Sequence, residues 1–109
     1  MTTDKQTSIN LALSTINGKW KLSLMDELFQ GTKRNGELMR ALDGITQRVL
    51  TDRLREMEKD GLVHRESFNE LPPRVEYTLT PEGYALYDAL SSLCHWGETF
   101  AKKKARLNK

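Results

Sequence analysis

The chain has 109 residues, enough for one domain with a modest core, and its 38% hydrophobic and 29% charged residues are ordinary for a globular fold. No apolar run is long enough to span a bilayer, and Met1 to Thr7 is too polar for a secretory signal, so a cytoplasmic protein without membrane attachment is expected. One cysteine, Cys94, excludes an intramolecular disulfide framework, and a net charge of +2 is too mild to indicate nucleic-acid binding unless the cations are clustered.

Taken in chain order, Ile9, Ala12, Leu13 and Ile16 recur at helical spacing and predict a helix over residues 8–16. Asn17-Gly18 stops it, since both residues tolerate left-handed backbone. A second helix is expected over 19–29, carrying Trp20, Leu24 and Leu28, with Gln30-Gly31 as its end. Thr32-Lys33-Arg34 is short enough for a small strand. A third helix opens near Asn35, a predicted N-cap, with Leu38, Met39 and Leu42 on its apolar side. Asp43-Gly44 makes a turn, and Thr46 caps a fourth helix that reaches Asp60 with Val49, Leu50, Leu54 and Met57 on one side. Two short amphipathic helices joined by a tight turn over 35–60 have the layout of a helix-turn-helix.

The period then changes from helical to alternating. Residues 63–68 and 74–79 read as strands, with Val75, Tyr77 and Leu79 on one face and Glu76 and Thr78 on the other. Between them, Asn69 to Pro73 is a proline-stiffened loop, so residues 63–79 form a projecting hairpin, a wing. Thr80, Pro81 and Glu82 are cap, first-turn proline and first-turn acid of a last helix over about 81–104. Its apolar residues, from Tyr84 and Leu86 to Trp96 and Phe100, cover more than one stripe. One side can face the chain's own core and the other a second copy. The expected class is mainly α with a small β-hairpin (α+β), a single winged helix-turn-helix over 1–109 flanked by N- and C-terminal dimerisation helices.

In this order and spacing the motifs resemble the HxlR-type winged-helix regulators, a branch of the MarR-like group. The matching residues are Asn17-Gly18-Lys19-Trp20, Asn35-Gly36-Glu37-Leu38, the run from Gly44 to Glu58, Asp60-Gly61-Leu62-Val63, the run from Pro72 to Thr80, and Gly83. The resemblance implies a homodimeric DNA-binding transcription regulator whose dimer is built from the terminal helices. The expected interface residues are Ile9, Leu13, Ile16, Leu86, Leu90, Leu93, Cys94 and Trp96. Several members of that family sense oxidants through a cysteine near the N-terminus; Thr7 to Leu13 holds none here.

The expected partner is double-stranded DNA, as a pseudo-palindromic operator. The fourth helix is the one to enter the major groove. Thr46, Gln47, Arg48 and Thr51 lie on its polar N-terminal side; Gln47 suits adenine, and Arg48 suits guanine or a phosphate. Arg55 is a further DNA contact or a partner for a nearby carboxylate, and Arg53 can pair with Glu56. Lys33 and Arg34 suit phosphate contacts that set register. Arg74 places a cation at the wing, or is a strand-edge arginine that discourages aggregation. The tail cations Lys102, Lys103, Lys104 and Arg106 read as a solvated helix end.

Trp20, Trp96 and the tyrosines fall at packing positions, so no cofactor is expected, and a small-molecule effector is not identified. Cys94 and His95 point about 100° apart on a helix and His64 is distant, which leaves neither a nucleophile–base pair nor a metal set. Cys94 reads as a buried structural cysteine, with an intersubunit contact or a reactive thiol at the dimer seam as the alternative. Without a phosphate loop, a zinc motif or an acid–base constellation, the chain is not read as an enzyme. Repression by promoter blocking is the simplest regulatory mode for a chain without a separate effector domain. A winged-helix protein-interaction module that does not bind DNA specifically is the alternative function.

Overall fold

The computed structural model describes residues 4–108. The order is α1 (Lys5–Ile16), α2 (Lys21–Phe29), β1 (Lys33–Arg34), α3 (Asn35–Ala41), α4 (Gln47–Lys59), β2 (Val63–Phe68), β3 (Arg74–Leu79) and α5 (Pro81–Leu107). The three strands form one antiparallel sheet in the order β1-β3-β2. This is the expected helix-turn-helix with a wing, and the suspected short strand at Lys33-Arg34 is present.

Several boundaries differ from the sequence reading, each for a local reason. The first helix starts at Lys5 because the Asp4 carboxylate accepts the Thr7 N–H at 2.7 Å, extending it through polar residues that carry no apolar period. Asn17 is extended (φ −66°, ψ 143°) rather than left-handed, and the reversal falls instead on Gly18 (φ +106°) and Trp20 (φ +87°). Trp20 is thus the N-cap of α2, which begins two residues later than expected. Asn35 lies inside α3 rather than capping it. Arg34 is the N-cap residue, and its backbone N–H donates to Glu37 Oε1 at 3.0 Å. Thr46 caps α4 as expected, its hydroxyl accepting the Val49 N–H at 3.2 Å. The last helix continues three residues beyond the expected end, to Leu107.

The core lies between α2, α3, α4 and the inner face of the sheet. Leu24, Leu28, Leu38, Leu50 and Met57 are fully buried there, joined by Met25, Leu54, Val63 and Leu79. Burying a leucine of this kind stabilises by about 2 kcal/mol. Lys21 is also buried. Its ammonium donates to Thr15 O and sits 3.2 Å from Glu56 Oε2, joining the α1–α2 corner to α4. Arg53 binds the other oxygen of the same carboxylate, and these two cations, Arg53 foremost, hold the Glu56 carboxyl below its ordinary range.

α5 is fastened to this core at its first turn. Thr80 N–H donates to Leu62 O, and the Thr80 hydroxyl donates to Gly61 O at 2.5 Å while accepting the Gly83 N–H. Gly83 is buried here because a Cβ at that position would stand 2.2 Å from Leu62 O. Further along, Phe29 stacks on Tyr87 at 4.5 Å, and the Tyr87 hydroxyl donates to Asp26 Oδ1 at 2.7 Å.

Candidate nucleic-acid interface

α4 presents two chemically opposite sides. Leu50, Leu54 and Met57 enter the core, while Gln47, Arg48 and Arg55 are exposed and Thr51 is half-buried. The period of the helix produces this separation: apolar residues recur every three or four positions, and the polar ones take the intervening arc. Gln47 Nε2 donates to Thr51 Oγ1 at 3.0 Å, which orients the amide of this exposed side chain. The Thr46 hydroxyl accepts the capping N–H of Val49, and Thr46 is exposed at the helix entry beside Gln47, with its own proton free to donate. Asp52 stands exposed between Thr51 and Arg53, an acid on an otherwise basic surface.

The arginines divide into two sets. Arg53 is paired with Glu56, and Arg74 with Glu70 (2.9 Å) and Glu76 (3.1 Å). Arg74 also lies 3.9 Å over the Phe68 ring, opposite it in the hairpin register. Its charge is matched by two carboxylates at the root of the wing tip, so its place in the structure is that of a hairpin clip. By contrast Lys33, Arg34, Arg40, Arg48, Arg55 and Arg65 form no ion pair among the described residues. Arg34 and Arg40 line one open notch at the start of α3 with Gly36 and Glu37. Arg55 and Arg65 line a cleft between α4 and the sheet.

Arg40 and Arg65 were absent from the sequence expectation. Helical spacing could have found Arg40, since it lies four residues after Gly36 and three after Glu37, on the side of α3 that meets Arg34. Arg65 comes into place only through strand register: it pairs with Tyr77, and Tyr77 pairs on its other side with Lys33.

The expected dimer residues divide as well. Leu86 and Leu90 are half-buried and pack against the chain's own core. Ile16 is half-buried, whereas Ile9, Leu13, Leu93 and Trp96 are all more than half exposed. Trp96 stacks on Phe100 at 4.9 Å, forming an aromatic step on the outer side of α5; Phe100 was not among the expected residues. Cys94 is exposed, which corrects the buried-cysteine expectation: it lines an open cleft between α5 and α2 with Leu22, Asp26 and Tyr87, and its thiol reaches Glu98 Oε1 at 3.7 Å.

Comparison with known proteins matches residues 15–105 to the family described as HxlR-like helix-turn-helix. The HTH-type transcriptional regulator YtcD of Bacillus subtilis (strain 168) is 44% identical over 90 residues, covering 83% of this chain and 71% of that protein. A crystal structure from Enterococcus faecalis V583, described as a transcriptional regulator of the MarR family, shares 99% identity and a TM-score of 0.91. That match covers 97% of this chain and 96% of the other. The redox regulator HypR in its reduced form shares 43% identity and a TM-score of 0.78 over 84% of this chain and 91% of the other.

Proposed function

The chain belongs to the HxlR-like helix-turn-helix family of transcription regulators, and from that premise we propose that it acts in the cytoplasm as a homodimeric repressor of a pseudo-palindromic operator. Residues 1–109 act as one winged helix-turn-helix unit, although residues 1–3 and 109 lie outside the described structure. α4 enters the major groove, with Gln47 and Arg48 against base edges and Thr51 beside them. Lys33, Arg34 and Arg40 contact phosphates and set register without reading sequence. α1 and α5 supply the dimer contact through Ile9, Leu13, Leu93, Cys94 and Trp96, with Ile16, Leu86 and Leu90 along its inner edge. Repression follows from occupying a promoter.

The observation that carries this reading is the outward side of α4, where Gln47 is oriented by Thr51 and Arg48 is unpaired. A protein-docking face would more often be apolar at its centre. Fluorescence anisotropy on labelled duplexes from upstream of the gene and its neighbours, with a scrambled duplex as control, tests it. Arg48→Ala is expected to weaken binding to the preferred duplex by about 10- to 100-fold and to flatten the preference. Lys33→Ala is expected to weaken both duplexes by the same factor. Equal losses on both duplexes for Arg48→Ala would remove its base-reading role. No preference for any upstream duplex would favour the protein-interaction module.

A further inference from the structure

Residues 33, 51, 55, 65 and 77 are scattered along the chain, yet the fold gathers them at one corner. The pairings Lys33↔Tyr77 and Arg65↔Tyr77 set three side chains in a row across the sheet. Because directly opposed residues share a face, the row lies on the side that carries buried Val63 and Leu79, the side turned toward α4. Thr51 and Arg55 reach the same place from one side of α4, four residues apart. Thr51, Arg55, Arg65 and Tyr77 line an open cleft of about 340 Å³, floored by buried Leu54 and the half-buried tyrosine.

The charges in this cleft do not cancel. Glu58 also lines it, but forms no ion pair with either arginine, so two guanidinium groups face one carboxylate. Arg53 and Arg74, close by in sequence, are each held by a carboxylate; Arg55 and Arg65 are exposed and carry unused donors. A guanidinium is a planar fork suited to phosphate oxygens, and an apolar floor strengthens such contacts by lowering the local dielectric.

We infer that this corner is a seat for one phosphodiester of the DNA backbone, gripped jointly by Arg55 from the reading helix and Arg65 from the wing, with the hydroxyls of Thr51 and Tyr77 as further donors. It rests on the DNA-binding reading above and adds to it a contact that forms only when α4 and the wing hold their mutual position. Arg65 therefore positions the reading helix on the duplex and reads no base.

The test replaces single phosphates of the bound duplex by neutral methylphosphonates, one linkage at a time, for wild type and Arg65→Gln. Wild type is expected to lose about tenfold at one linkage in each half-site, and Arg65→Gln, which leaves Arg55 alone on that phosphate, to lose clearly less at that same linkage. The slope of log affinity against log salt should become shallower by about 0.9 for each phosphate no longer neutralised, nearly two for a dimer. Arg65→Lys, which keeps the charge, should retain the slope, and Glu58→Gln should tighten binding. Identical linkage profiles and salt slopes for wild type and Arg65→Gln would overturn the assignment. So would pyrophosphate raising the Tm of wild type but not of Arg65→Gln while DNA binding is unchanged, because the anion would then be a free one. Wild type that binds no duplex at all would bring down the underlying DNA-binding reading as well; a bound duplex with no sensitive linkage at the cleft brings down only this contact.

Discussion

The winged core and the two terminal helices are built from similar residues but reach different ends. Between Lys21 and Leu79, apolar periodicity closes on itself, and every fully buried leucine and methionine among the described residues is found there. In α1 no residue is buried, and in α5 only Gly83 is, although both helices carry leucines, isoleucine or aromatics. The same pattern thus specifies a core in one region and an uncovered surface in the other. The proposed homodimer would account for this difference, since α1 and α5 carry apolar residues that their own chain leaves exposed. A helix whose apolar side finds no cover within its own chain is stable in water only marginally.

The sharpest way to break the core half of this contrast is Gly83→Ala. The new methyl would collide with Leu62 O and crowd Leu79, so α5 must move off the turn between α4 and β2. Overpacking of this kind costs about 3 kcal/mol, more than the roughly 1 kcal/mol gained in helix propensity. Denaturant unfolding followed by circular dichroism should show that loss at every protein concentration. The opposite signature is expected for Trp96→Glu. A charge placed in the proposed dimer seam should weaken self-association by about 100-fold, some 2.7 kcal/mol, while leaving the secondary structure of the core intact. Sedimentation at several concentrations measures it, and an unchanged association constant would remove α5's outer side from the interface.

A smaller effect joins the two regions. The Glu56 carboxyl is lowered by Arg53 and then by Lys21, so its folded-state value lies below that of the unfolded chain. Its contribution is therefore fully present above the unfolded carboxylate range and is lost as pH falls through the folded value. Stability should drop in that acid window, and Glu56→Gln should lessen the drop. Since Lys21 is buried and loses its opposite charge in that variant, Glu56→Gln should also be less stable at neutral pH. Thermal melts of both proteins between pH 3 and 7 compare the two slopes, taking about 4.3 as the unfolded reference.

How far the fold could be read in advance follows the same division. Thr46 with its turn and the alternation of residues 74–79 were legible because cap chemistry and period are local. Trp20 was not: a bulky aromatic disfavours left-handed backbone, and only the close joining of α1 to α2 places it there. Gly83 entered the sequence reading only through the family resemblance; its physical reason is a carbonyl 21 residues earlier. The row Lys33, Tyr77 and Arg65 depends on strand register across 44 residues, and one sequence cannot specify which residues oppose each other. For Arg74 the wing position was legible. Its two carboxylate partners, both within four residues, were there to be weighed, and their reach depended on the hairpin's twist.

The close seating of Gly83 has a mechanical consequence. Fastened at its first turn by Thr80 and the Leu62 carbonyl, α5 joins the winged core without a hinge, and its 27 residues extend about 40 Å. In the proposed dimer it is a lever arm: a tilt of about 5° where two such arms cross displaces the opposite end by about 3.5 Å, close to one base-pair step. Anything that wedges the aromatic step of Trp96 and Phe100 would thereby retune the distance between two reading heads without touching either of them.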